Sequence, residues 1–180
     1  MPGNSFICFD GIKPGESLHD THNGKNGWIE ITDWSWDIEA DTSYLKGGGA
    51  AVGKPTPGTL SFSHYYDVAS PTIMLKIVQG KHFPKVHIVM LKQTGSVDGK
   101  GEPYFGITME EVFITKVSSK GAEDGSVTQD VECVFKTIAV AYKKQEEGGE
   151  LASSPAPFIW DIGKMKTEGV PEMKLDVKGV

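Results

Sequence analysis

The chain has 180 residues, 38% of them apolar, with 18 basic against 24 acidic residues and a formal charge of −6. All 18 basic residues are lysine, so the guanidinium forks that read guanine and grip phosphate are missing; with no lysine run and no basic amphipathic helix, the composition argues against nucleic-acid and membrane-surface partners. The length suits one domain over residues 1–180, and two cysteines are too few for a disulfide-dense scaffold.

Isoleucine and valine total 28 while leucine totals 7. Branching at Cβ suits pleated strands, so the imbalance predicts a mainly β protein. The start, MPGNSFICFDG, has neither the charged nor the apolar region of a signal peptide. No stretch approaches the ~20 apolar residues of a membrane span. Cys8 and Cys133 alternate with bulky apolar neighbours, the pattern of buried thiols in a protein made in the cytoplasm.

In chain order, SFICFD (5–10) predicts a first strand, and Gly11 to Gly27 a polar turn region. In WIEITDWSWDIEA, Ile29 and Ile31 share one parity but Trp34, Trp36 and Ile38 take the other, which predicts a bulge or break at Thr32-Asp33. Residues 40–57, with GGGAAVGKPTPG, read as a long protruding loop without regular structure. Further strands follow in TLSFSHYYD from Thr59, KVHIVMLKQ from Lys85, PYFGITMEEVFITKV from Pro103 and QDVECVFKTIAVAY from Gln129, the last two joined by the turn-rich GAEDGSV. Between them, residues 70–79 predict a helix with Ser70 as N-cap, Pro71 in its first turn, Gly80 as left-handed C-cap, and Ile73, Met74, Ile77 and Val78 on the face toward the sheet. The tail, 143–180, opens polar and then offers PFIWDIGK as a candidate final strand or docking segment. Six or seven strands, several apolar on both faces, predict a closed or nearly closed antiparallel β-barrel with one α-helix.

Motifs for chemistry are sparse. Gly48, Gly53 and Lys54 approach a phosphate-binding loop, but Pro55 stands where the hydroxyl belongs and a strand, not a helix, follows. His19 and His22 in HDTH have no second ligand cluster, so they read as solvated turn residues, with a metal-dependent hydrolase as a minor alternative. His64 and His87 sit within strands and read as structural, and Glu110 and Glu111 point to opposite faces. No pattern calls for a catalytic site, a metal or a cofactor. Trp28, Trp34 and Trp36 keep open a second reading, a stand-alone carbohydrate- or ligand-binding barrel.

Taken together, GIKPGESLHDTHNGKNGWIEITDWSW, YYDVASPTIMLKIVQGKHFPKVHI, PYFGITMEEVFITKV and VECVFKTIAVAY resemble, in order and spacing, the haemolysin-coregulated protein (Hcp) family, the tube subunit of bacterial type VI secretion. The similarity spans roughly residues 5–142, with FIWDIGKMK a looser match; Asp37-Ile38-Glu39 departs from the glycine that many members place after the position of Trp36. The resemblance implies hexameric rings stacked into a tube, sheathed by a contractile layer, tipped by a VgrG-type spike, and exported without a signal peptide while carrying effectors in the lumen. On that reading the loop residues Asp41, Thr42, Ser43, Tyr44, Leu45, Lys46, Gly47, Gly48, Gly49 and Val52 are expected to form the ring-stacking contact.

Overall fold

A computed structural model describes residues 4–45, 49–94, 99–153, 156–168 and 175. Strand β1 (Ser5–Phe9) lies between β2 (Trp28–Glu30) and β7 (Phe83–Lys92), antiparallel to both. Both faces of β1 are buried: Ile7 and Phe9 point into the main core, whereas Phe6 and Cys8 join Trp28, Val89 and Leu91 in a smaller one. That two-sided burial explains why SFICF is nearly continuous in apolar residues rather than alternating. The segment expected as a polar turn region, 11–27, is not wholly solvated: Ser17 and His22 are buried, His22 against Phe6 and Trp28 of the smaller core, and Ile12 reaches into the main core.

The sheet continues through β8 (Glu102–Gly121) and β9 (Val127–Val134) to β6 (Leu60–Tyr65) and β3 (Asp33–Ser35). Its two end strands, β2 and β3, are consecutive in the chain. Ile31 N–H donates to Ser5 O at 3.0 Å and Thr32 N–H to Ser63 O at 2.8 Å, so the backbone itself steps from one sheet edge to the other. The break anticipated at Thr32-Asp33 is this step, and it brings the barrel close to closure.

Strand β8 bends. Its first part pairs with β7 and with β10 (Thr137–Tyr142), its second with β9, and Glu111 between them takes φ 50°. The partner strand breaks opposite that bend, at Phe135-Lys136, where Lys136 N–H donates to Glu110 O at 3.1 Å. The single strand expected from Gln129 to Tyr142 is therefore two. Strand β11 (Ala156–Asp161) pairs with β10, as PFIWDIGK predicted, and brings Trp160 into the core.

Helix α1 (Ser70–Gln79) ends on Gly80 at φ 64°, the left-handed cap expected there. Its start differs. Ala69 is the N-cap, its backbone is already helical and its methyl group has no oxygen with which to cap; Ser70 lies inside the first turn. The Ser70 hydroxyl instead accepts from Asp67 N–H at 2.9 Å, and the Asp67 carboxylate takes Ala69 N–H at 2.7 Å. The expected apolar face is also narrower: Ile73 is buried and Ile77 half-buried, but Met74 and Val78 face outward.

The region read as an irregular loop is a β-hairpin, β4 (Ile38–Leu45) with β5 (Gly49–Pro57), forming a sheet of its own. Register runs from Ile38 opposite Pro57 to Leu45 opposite Gly49, with an irregularity between Ala40 and Thr42. Gly53 lies where a Cβ would come within 2.9 Å of Asp41 O, so the close approach of the two backbones uses glycine. Glycine and proline weaken strand signals in a sequence, but a two-stranded ribbon whose outer edges are unpaired accommodates proline without losing a ladder bond.

Candidate functional site

The hairpin is rooted firmly and then leaves the barrel. At its base Gly58 N–H donates to Asp37 O at 2.9 Å and Trp36 Nε1 donates to Gly58 O at 3.2 Å, while the Trp36 ring packs beside Phe135 and Phe158. The Asp37 carboxylate lies over Gly58, where a Cβ would displace it. Beyond that base, Glu39, Ala40, Asp41, Thr42, Gly53, Lys54, Pro55 and Thr56 are all exposed. Of the residues expected to make the stacking contact, Asp41, Thr42, Ser43, Tyr44 and Leu45 lie on β4 and Gly49 and Val52 on β5. Lys46, Gly47 and Gly48 fall outside the described residues.

Chemical alternatives do not assemble. Gly53 and Lys54 belong to a strand that leads into another strand, so the helix N-terminus that a phosphate cradle needs does not follow. Trp28 is fully buried, Trp34 stacks on Phe105 at 5.3 Å and donates its Nε1–H to Met90 Sδ, and Trp36 is half-buried at the hairpin base. Glu110 and Glu111 are tied separately, to Lys85 at 3.9 Å and to Lys136 at 3.1 Å. Cys133 is buried and its thiol pushed up to about 12, which removes its nucleophilic character.

The histidines serve the fold. His22 is buried against Phe6, with ring centroids 5.5 Å apart, and meets the edge of Trp28 at 4.8 Å. Burial there lowers its pKa to about 4, and neighbouring His19 adds to the shift. The solvated-turn expectation thus does not hold for His22, which is buried. His87, bonded to Thr108 Oγ1 at 2.7 Å, is likewise lowered to about 4 by burial, with Lys85 contributing. His64, against Gln129 Oε1 at 2.8 Å, is lowered by burial as well. Among the described residues, no group of three His, Cys, Asp or Glu side chains is placed to hold a metal.

What sequence reasoning missed is a set of exposed apolar side chains around the end of β6. Leu18 is 94% and Tyr65 62% exposed, with Tyr66 and Val68 beside them. Their only sequence signal is two adjacent tyrosines closing an alternating strand, where one of the pair must face outward.

Outside the core, the feature that stands out is a hairpin forming its own sheet beside a nearly closed barrel. A family model described as "Type VI secretion system effector, Hcp" matches residues 6–142. The chain belongs to the Hcp family. Protein hcp1 of Pseudomonas aeruginosa is 32% identical over 164 residues, covering 90% of this chain and 96% of that one. Among solved structures, Hcp1 from Salmonella typhimurium is 29% identical with a TM-score of 0.70, covering 92% of this chain and 99% of its own. A type six secretion system protein at 23% identity superposes with a TM-score of 0.80 over 91% of this chain and 98% of its own, which supports the fold. Hcp proteins are secreted tube proteins that self-associate, and as one of them this chain is a structural subunit of the type VI secretion tube and not an enzyme. The ligand-binding alternative is not favoured.

Proposed function

We propose that six copies of this Hcp close into a ring by pairing exposed strand edges, and that rings stack head to tail through the β4–β5 hairpin. The observation that carries the stacking role is that, among the described residues, this hairpin pairs with no strand of the barrel, and that Glu39 to Thr42 and Gly53 to Thr56 are exposed. Head-to-tail contact uses two different patches and does not close, which is how closed rings extend into a filament. Ring closure also covers sheet edges such as the free side of β11, which otherwise invite aggregation.

A compact chain of this length has a radius of gyration of ~16 Å, so it behaves as a sphere about 40 Å across. Six such spheres in contact leave a hole about one sphere wide, enough for a small folded effector. In this reading the subunit is made in the cytoplasm, assembles inside a contractile sheath behind a VgrG-type spike, and leaves through the type VI apparatus without a signal peptide.

Light scattering after gel filtration is expected to give about 117 kDa, six chains of 19.5 kDa; a monomer at micromolar concentration would overturn the ring. Deleting Gly47 to Gly53 is expected to leave that mass unchanged and to abolish tubes in negative-stain images. Persisting tubes would remove the hairpin from the stacking contact.

A further inference from the structure

An antiparallel sheet packed on a core by one face commonly leaves the other face to water. Strands β7, β8 and β10 do not. Their inward residues, Val86, Ile88, Ile107, Met109 and Ile138, belong to the main core. The alternate positions point away from it, and across the ladder they align as His87 with Thr108 and Ala139, and as Val89 with Gly106 and Ala141. All six are buried, Ala139 and Ala141 at 1% exposure.

The neighbouring pieces of chain do not account for that cover. Segment 11–27 lies over the β1 end of the sheet, with the His22 ring on Phe6 and Asn26 O 3.9 Å from Cys8 Sγ. Helix α1 packs from the opposite side, since its Ile73 lies in the main core. The link from β10 to β11 continues the plane of those two strands, with Ala152 N–H donating to Lys144 O at 2.8 Å and Gln145 bridged to Leu151. Among the described residues, the buried apolar side chains that belong to neither core are Ala139, Ala141 and Leu175. Two lie on this outward face and the third on the tail.

We propose that the outward face of β7, β8 and β10 is the docking site for the C-terminal tail, residues 169–180, of the same chain. Reach allows it. Lys166 pairs back on Asp161 at the end of β11, and Glu168 is exposed. From β11 to β7 is three strand spacings, about 14 Å, whereas the seven residues from Glu168 to Leu175 span about 23 Å when extended. Sequence pattern supports it as well. In EMKLDVK, Met173, Leu175 and Val177 alternate with Glu172, Lys174, Asp176 and Lys178, which gives an extended segment one apolar and one charged side. Leu175 is 5% exposed in a single chain, so the cover is intramolecular. Docked this way, the tail replaces an apolar sheet face, which would invite unspecific contact, with a charged one.

The test is thiol alkylation of full-length chains. Cys8 and Cys133 are buried and serve as internal controls, Cys133 from within the main core. An Ala139→Cys reporter is expected to react slowly in the otherwise unaltered chain, at a rate independent of protein concentration. Adding Leu175→Glu, which alters the tail and no strand of the barrel, should raise the reporter's rate at least tenfold while Cys133 stays unreactive and circular dichroism is unchanged. A reporter that stays slow with Leu175→Glu would overturn the docking site. Reaction of Cys133 together with the reporter would overturn it too, by showing that Leu175 holds the barrel itself. Loss of protection on dilution to single subunits would overturn the intramolecular assignment and place a neighbouring copy on this face.

Discussion

Lowering the pH from 7.5 to 5 is expected to destabilise the subunit by several kcal/mol, well before its carboxylates protonate. His22 and His87 are both buried and both lowered from 6.5 to about 4. Above pH 6.5 they are neutral in folded and unfolded chains alike and contribute no pH dependence. Below it the unfolded chain takes up protons that the folded chain refuses, so stability falls as pH drops toward 4. Linkage gives about 2 kcal/mol per histidine at pH 5 and roughly 3 when the folded form is also protonated. His64 is lowered as well and acts in the same sense. Asp67 opposes them: burial raises its pKa above the ordinary carboxylate value, so acid relieves part of its cost. Around His22 stand Phe6, Trp28 and the like charge of His19, and beside His87 the ammonium of Lys85, so no anion compensates the new charge. Urea midpoints at pH 7.5 and 5, taken at one protein concentration because self-association also stabilises, should differ clearly. His22→Gln and His87→Gln should each flatten the difference. Equal midpoints in the unaltered protein would show that these rings stay solvated.

The features legible in the sequence were those set by local alternation. The parity switch between Ile31 and Trp34 located the step that carries the chain across the barrel edges, and Pro71 with Gly80 bracketed the helix. Features set by tertiary contact were not legible. Ser70 was outcompeted as a cap because Asp67, anchored to Glu16 fifty-one residues away, already serves the turn. Met74 and Val78 share a helical stripe with Ile73 and Ile77, but the barrel beneath is covered by the last two alone. His22 looked solvated because its neighbours in sequence are polar, while its neighbours in space are Phe6 and Trp28. The hairpin was obscured by its composition, since Gly53 and Pro55 are turn residues by habit and strand residues only where two backbones approach closely or an edge is free. The function was legible through the order of motifs, yet the exposed apolar side chains around the end of β6 were not, because Leu18 and Tyr65 are far apart in the chain.

Replacing Trp28 should separate packing from polarity in the smaller core. Its side chain is fully buried among Phe6, Cys8, Val89 and Leu91, with the His22 ring against it. Its carbonyl accepts from Ser17 N–H at 3.3 Å, and Gly15 sits so close to that carbonyl that a Cβ would collide with it. Trp28 thus meets the segment 11–27 twice, through its carbonyl at Gly15 and Ser17 and through its indole at His22, and this is the segment that presents Leu18. Trp28→Ala is expected to cost about 3–5 kcal/mol through lost burial and the cavity left behind, lowering Tm by on the order of 10 °C for a chain of this size. Trp28→Phe is expected to behave differently. Among the described residues nothing accepts from the indole Nε1–H, so phenylalanine loses no hydrogen bond and removes a buried polar group whose desolvation costs about 1–3 kcal/mol. That gain roughly offsets a cavity cost near 1 kcal/mol for the smaller ring. Thermal melts should place Trp28→Phe within about 1 kcal/mol of the unaltered protein and Trp28→Ala far below it. Equal losses for the two would show that the indole N–H is bonded in solution and that polarity, not volume, holds this segment down.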